Sequence, residues 1–333
     1  MHRHLTHSFL TQVLLATSIA SAITPNTCAA QTARSPRAYD FKQAVMTNSV
    51  NRIYRVHVPA TYDRSKPIPL VIVFHGLHMS GNLMSLLTRF EAVADRKNFI
   101  VVYPDALGGK WDTAGNSGHD DVQFVKDMLG SLERLIKIDT RRMYVAGMSN
   151  GGFFVERLAC ELPDTFAGIA VVAASMMEST ASRCEANRRI PAIFFIGTDD
   201  PLVPSEDSDH NATLGKLGDA VGISGLGSLS VPMAKMGGVM TGAEAVGFWC
   251  RHNQCSLSPY TNIEPDKDPH DGTKVKRETF GSYNSEVVCY SIQGGGHTWP
   301  GAVYSGPSDV MGKTTQDIDA TELISEFFLR HSN

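Results

Sequence analysis

The chain has 333 residues, of which 42% are hydrophobic, and carries a formal charge of −4. That is enough for a sizeable core in one α/β domain, and the lack of a basic stripe excludes nucleic-acid binding. There is neither a Gly-rich phosphate loop followed by Lys nor an H-E-x-x-H pair, so no ATP, no zinc and no other cofactor is expected.

In chain order, residues 1–30 read as a signal peptide. Arg3 gives a basic start, the apolar run 9–23 is too short to span a bilayer, and small residues follow. Cleavage after Ala30 is preferred to the site at Ala22, leaving 31–333 as a single domain exported to the periplasm or beyond, with no membrane segment. Residues 51–58 alternate as a strand, and 69–74 form a buried strand entering His75-Gly76-Leu77-His78. Residues 83–97 place Leu86, Leu87, Phe90 and Val93 at helical spacing. A strand over 99–103 follows, with Trp111 on the loop beyond it. Asp120 and Asp121 open a helix reaching 138, where they serve as caps. Residues 141–146 are a strand, followed by a helix to 162, a strand over 166–173 and a buried strand over 191–197. The Gly-rich stretch 205–240 is too long for an ordinary connection and is expected on the rim of the site. A helix over 242–252, a strand over 287–292 and a last helix over 317–331 complete the chain. Such alternation means an α/β fold with a mostly parallel central sheet and helices on both faces.

The segment Gly147-Met148-Ser149-Asn150-Gly151 is a G-x-S-x-G between a strand and a helix, the context of a nucleophile elbow. An acid and a histidine follow in the order such a site uses. Asp199 and Asp200 lie just past the strand 191–197, and His297 follows three glycines past the strand 287–292. A Ser hydroxyl needs a base to take its proton, and a carboxylate to fix the tautomer of that base. In a parallel sheet, loops past the carboxyl ends of the strands gather at one edge. Ser149, Asp200 and His297 are therefore the expected catalytic residues, Asp200 being preferred to Asp199 because Pro201 pins the backbone after it. The backbone N–H groups of Leu77 and Asn150 are the expected oxyanion donors. His75 is expected to hydrogen-bond to backbone and stiffen its loop, whereas His57, His252 and His270 read as surface histidines. Trp111 and Trp299 are candidates for an aromatic substrate wall or for plain packing.

Export makes the cysteines disulfide candidates. Cys160 with Cys184 bracket one strand, and Cys255 with Cys289 flank a hairpin region, leaving Cys250 as a buried thiol. A Cys250–Cys289 bridge is the rival.

The blocks 73–76, 101–105, 120–122, 147–152, 197–204, 248–249 and 294–301 make the chain similar to the secreted polyhydroxybutyrate depolymerase and feruloyl esterase relatives within the α/β-hydrolases. The most specific are G-M-S-N-G-G and G-G-G-H-T-W-P-G. The resemblance implies the α/β-hydrolase fold and the triad Ser149, Asp200 and His297. One departure is Ile196-Gly197, where relatives often carry His-Gly. The expected activity is hydrolysis of carboxylic esters through an acyl-enzyme. The substrate would be a polyester oligomer, as for a polyhydroxyalkanoate depolymerase, or else a hydroxycinnamoyl ester; the rival from another class is an inactive secreted binding protein. The chain ends soon after its last helix, so no separate polymer-binding domain is expected.

Overall fold

The computed structural model describes residues 38–116, 118–185, 187–203, 238–304 and 306–333. The expected signal peptide 1–30 and most of the 205–240 stretch lie outside the described residues. The strands are β1 (Tyr39–Thr47), β2 (Val50–Val58), β3 (Ile68–Phe74), β4 (Ile100–Pro104), β5 (Ile138–Met148), β6 (Gly168–Val172), β7 (Ala192–Gly197), β8 (Tyr260–Ile263), β9 (Lys274–Phe280) and β10 (Val287–Gln293). They form one sheet in the order β1-β2-β4-β3-β5-β6-β7-β10-β9-β8. The six central strands from β4 to β10 are parallel, and antiparallel pairs close both edges.

Strands buried on both faces read as continuous apolar runs, and β3, β6 and β7 are buried at every residue. Successive side chains of β5 go to opposite faces, with Val145 in one core and Tyr144 and Ala146 in the other. The first core is completed by α3 (Asp121–Glu133), α4 (Asn150–Glu161) and the helix over Gly242–His252, which is α6 after the single turn α5 (Glu178–Ala181). The second is completed by α1 (Gly81–Thr88), α2 (Phe90–Lys97) and α8 (Ala320–Leu329), which follows the short turn α7 (Ser308–Met311).

Four expectations are corrected. The helix expected over 83–97 is two helices, because Arg89 takes a left-handed conformation (φ 53°) that ends α1 and starts α2. The helix expected to reach 138 stops at Glu133, since Ile138 is already paired with Ile68 in the sheet. His57 is a buried β2 residue, with its ring nitrogens 2.8 Å from Asp40 Oδ1 and 3.2 Å from Asp95 Oδ1. The Cys255–Cys289 pair does not form. Cys255 packs against Gly281, three residues beyond the Glu278 that faces Cys289 across the β9–β10 ladder, which is about 10 Å along a strand. Its Sγ instead donates to the Cys250 carbonyl at 3.3 Å, so Cys250, Cys255 and Cys289 are all free thiols. Cys160 and Cys184 do form a disulfide, joining the end of α4 to the turn after α5. No helix among the described residues is long and apolar enough to cross a membrane.

Candidate active site

β5 ends in a turn that the sequence can make only with glycines beside it. Ser149 sits at φ 53°, ψ −124°, a region a side-chain-bearing residue occupies only when its surroundings impose it. A Cβ on Gly147 would stand 2.3 Å from the Gly151 carbonyl oxygen, and one on Gly151 would stand 2.4 Å from that of Phe74. Bare backbone at both positions lets α4 start directly against the ends of β3 and β5. A serine at a helix N-cap ordinarily bonds its hydroxyl to an amide of the first turn. Ser149 makes no such bond, which leaves its hydroxyl at the sheet edge without a helix-cap partner.

Asp200 and His297 meet at the same edge. His297 Nδ1 lies 2.8 Å from Asp200 Oδ2 and 3.1 Å from Oδ1, and both side chains are 2% exposed. With Nδ1–H donating to the carboxylate, the lone pair remains on Nε2. Asp200 Oδ1 also accepts from the N–H groups of Leu202 and Val203, which fixes the carboxylate in its turn. Asp199 is exposed and accepts the Thr198 hydroxyl at 2.9 Å. The glycines ahead of His297 serve close packing: a Cβ on Gly296 would fall 2.1 Å from the Met311 carbonyl oxygen, and one on Gly197 would fall 2.4 Å from that of Gly295. The His297 N–H donates to that same Met311 oxygen at 2.6 Å.

The loop after β3 supplies the other wall. Gly76 comes within van der Waals reach of Ser149, a Cβ there being 3.5 Å from that of Ser149. His75 is fully buried; its Nδ1–H donates to the Gly76 carbonyl and its Nε2 accepts the Ala106 N–H at 3.0 Å. Burial holds its pKa below the ordinary histidine value, so it is a neutral structural ring. Leu77 follows with its side chain partly exposed. The backbone N–H groups of Leu77 and Asn150 find no acceptor among the described residues; the first amides of a helix have none within it.

Trp111 and Trp299 are packing residues, which corrects the substrate-wall reading. Trp111 is fully buried, stacked on Phe154 at 5.3 Å and edge-on to Phe74 at 5.1 Å, and its Nε1–H donates to the His75 carbonyl. Trp299 is 1% exposed and donates to the Thr321 hydroxyl. Sequence reasoning missed a buried charge network behind the site. Asp120 does cap α3, but Asp121 is 1% exposed, pairs with Arg52 at 2.7 Å and accepts the Asp112 N–H. Arg157 on α4 holds the Asp112 carbonyl at 2.6 Å. Two adjacent aspartates where one cap suffices were the available signal. Glu156, also on α4, is a buried acid that no pattern announced. No group of three or more His, Cys, Asp or Glu among the described residues is arranged to hold a metal.

This arrangement has relatives. The solved acetyl xylan esterase from Aspergillus awamori superposes on 87% of this chain and 99% of its own with a TM-score of 0.54, at 16% identity. The chain has the α/β-hydrolase fold. A family model described as esterase PHB depolymerase matches residues 53–193, a span that includes Ser149 but neither Asp200 nor His297. The putative esterase NocK of Nocardia uniformis subsp. tsuyamanensis is 26% identical over 84% of this chain and 79% of its own length. Feruloyl esterase B of Piromyces equi is 25% identical over 73% of this chain and 42% of that protein. Poly(3-hydroxyalkanoate) depolymerase C of Paucimonas lemoignei is 28% identical over 42% of this chain and 35% of that protein. The resemblance read from the motifs therefore holds: the family model and the relatives by sequence are those of esterases.

Proposed function

We propose that this hydrolase is an exported esterase in which Ser149 attacks the ester carbonyl, His297 is the base and Asp200 orients it. The observation that carries the reading is the 2.8 Å contact between His297 Nδ1 and Asp200 Oδ2, on the same sheet edge as the strained Ser149. As Ser149 Oγ bonds to the carbonyl carbon, its proton passes to His297 Nε2 and the carbonyl oxygen becomes an oxyanion. The N–H groups of Leu77 and Asn150 receive that charge, each such donor contributing on the order of 10²–10³ in rate. The alcohol leaves with the proton from His297. Water then gives a proton to the same nitrogen and attacks the acyl-enzyme, releasing the acid and restoring Ser149.

The substrate class proposed first is a polyhydroxyalkanoate oligomer such as hydroxybutyrate oligomers, following the family description. A hydroxycinnamoyl ester is the second reading, favoured by the longer alignment with the feruloyl esterase. The test is a hydrolysis panel of p-nitrophenyl esters, hydroxybutyrate oligomers and methyl ferulate. Oligomer turnover well above that of methyl ferulate is expected; the reverse order would move the substrate to the second reading. Ser149→Ala run alongside should lose at least about 10⁴ in kcat.

A further inference from the structure

We propose that the side chain of Asn150, clasped to the backbone of Trp111, positions the two oxyanion donors relative to each other. The inference rests on the serine-esterase reading above and adds a residue role to it. The two donors come from different segments: Leu77 from the loop after β3, Asn150 from the elbow after β5. Pairing between these strands ends at Phe74 and Gly147, so the ladder itself fixes neither donor. A donor must nonetheless be held within roughly 0.5 Å and 10–20° of its working geometry to be useful.

Trp111 bridges the gap. Its indole Nε1–H donates to the carbonyl of His75, two residues before Leu77, at 3.0 Å. Its backbone N–H donates to Asn150 Oδ1 at 2.7 Å, and its carbonyl accepts from Asn150 Nδ2 at 3.3 Å. One buried residue thus carries a hydrogen bond to each donor segment and a second to the elbow. Trp111 is itself rigid: its ring is packed among Phe74, Phe124 and Phe154. The next residue, Asp112, is tied through its N–H to Asp121 and through its carbonyl to Arg157.

The residue type at 150 follows from this pairing. A carboxamide presents one acceptor and one donor in a plane, complementary to a backbone N–H and C=O. An aspartate would match the N–H but set an oxygen against the Trp111 carbonyl, and would place negative charge beside the site of the developing oxyanion. An alanine keeps its own N–H yet loses both clasp bonds. Asn150 is a positioning residue through its side chain, separate from the work of its N–H.

The test is steady-state kinetics of Asn150→Ala and the isosteric Asn150→Asp on one soluble ester, with inhibition by a phenylboronic acid that forms a tetrahedral adduct on serine. The expected result is a kcat lower by about 10- to 100-fold, as for misplacement of a reacting group by about an ångström, with KM changed less than about threefold. Boronate affinity should fall by the same factor as kcat/KM, a correlation that a loss of fold stability alone would not produce. Asn150→Asp preserves side-chain volume, so it carries the test should the alanine variant not fold. A kcat within threefold of wild type in either folded variant overturns the proposal. If Ser149→Ala retains activity in the same assay, the underlying serine-esterase reading fails instead.

Discussion

Glu156 offers a pH experiment whose size follows from its surroundings. It is fully buried on α4, two turns beyond Ser149; its Oε1 accepts the Trp249 indole N–H at 3.1 Å, and its Oε2 has no partner among the described residues. Burial pushes its pKa from 4.5 up to about 8, against a small opposing effect of the Trp249 bond. Between those values the native protein holds a proton that the unfolded chain releases. Stability is therefore fully present below about pH 4.5 and is lost as pH rises, by about 1.4 kcal/mol per unit, until the loss levels off above about pH 8. At pH 7 the cost is about 3 kcal/mol relative to pH 4, on the order of a quarter to a half of an ordinary domain's stability. Glu156→Gln stays neutral throughout and keeps an oxygen for the indole N–H. Urea unfolding of both proteins from pH 4 to pH 9 should give nearly equal stabilities at pH 4, with the Gln variant gaining steadily to about 3 kcal/mol by pH 7. Groups shared by the two proteins, such as Glu286 with its depressed pKa, cancel in the difference. A difference that stays constant across the range would refute the reasoning.

Asp200→Asn should cost far more kcat on a soluble ester than Asp199→Asn, because only Asp200 meets His297; equal losses would remove Asp200 from its orienting role. Cys160→Ser opens a loop of sequence separation 24 and should destabilise by about 3 kcal/mol, read by denaturant midpoint against the oxidised parent; an unchanged midpoint would contradict the disulfide. Gly151→Ala should yield little folded enzyme, since its Cβ would meet the Phe74 carbonyl oxygen at 2.4 Å. Gly130→Ala on α3, where a Cβ meets only the end of the Arg134 side chain at 3.9 Å, should raise stability by about 0.4–1 kcal/mol. Thermal unfolding of these two glycine variants would show whether the close approach at the elbow decides the difference.

Much of the site was legible because its constraints are local. The elbow needs glycines on both sides of Ser149, and the His297 loop needs glycines that press on the backbone around Met311. Both leave their mark as short motifs. The central strands were legible from their apolar runs. The edge strands β1, β8 and β9 were not: they are largely exposed or half-buried, and their polar residues blur the alternation. The break at Arg89 left no signal because a non-glycine residue adopts the left-handed turn. Trp111 and Cys255 show the remaining limit. Whether a loop tryptophan lines a cleft or fills a core, and which thiols meet, depends on packing between segments distant in sequence.

The most direct test of a Ser149 nucleophile is labelling with a fluorophosphonate while ester hydrolysis is followed, then peptide mass analysis of the adduct. Activity should fall in step with one equivalent of label, and the mass increment should reside on Ser149. Stoichiometric label on another residue, or full activity in protein already modified at Ser149, would contradict it.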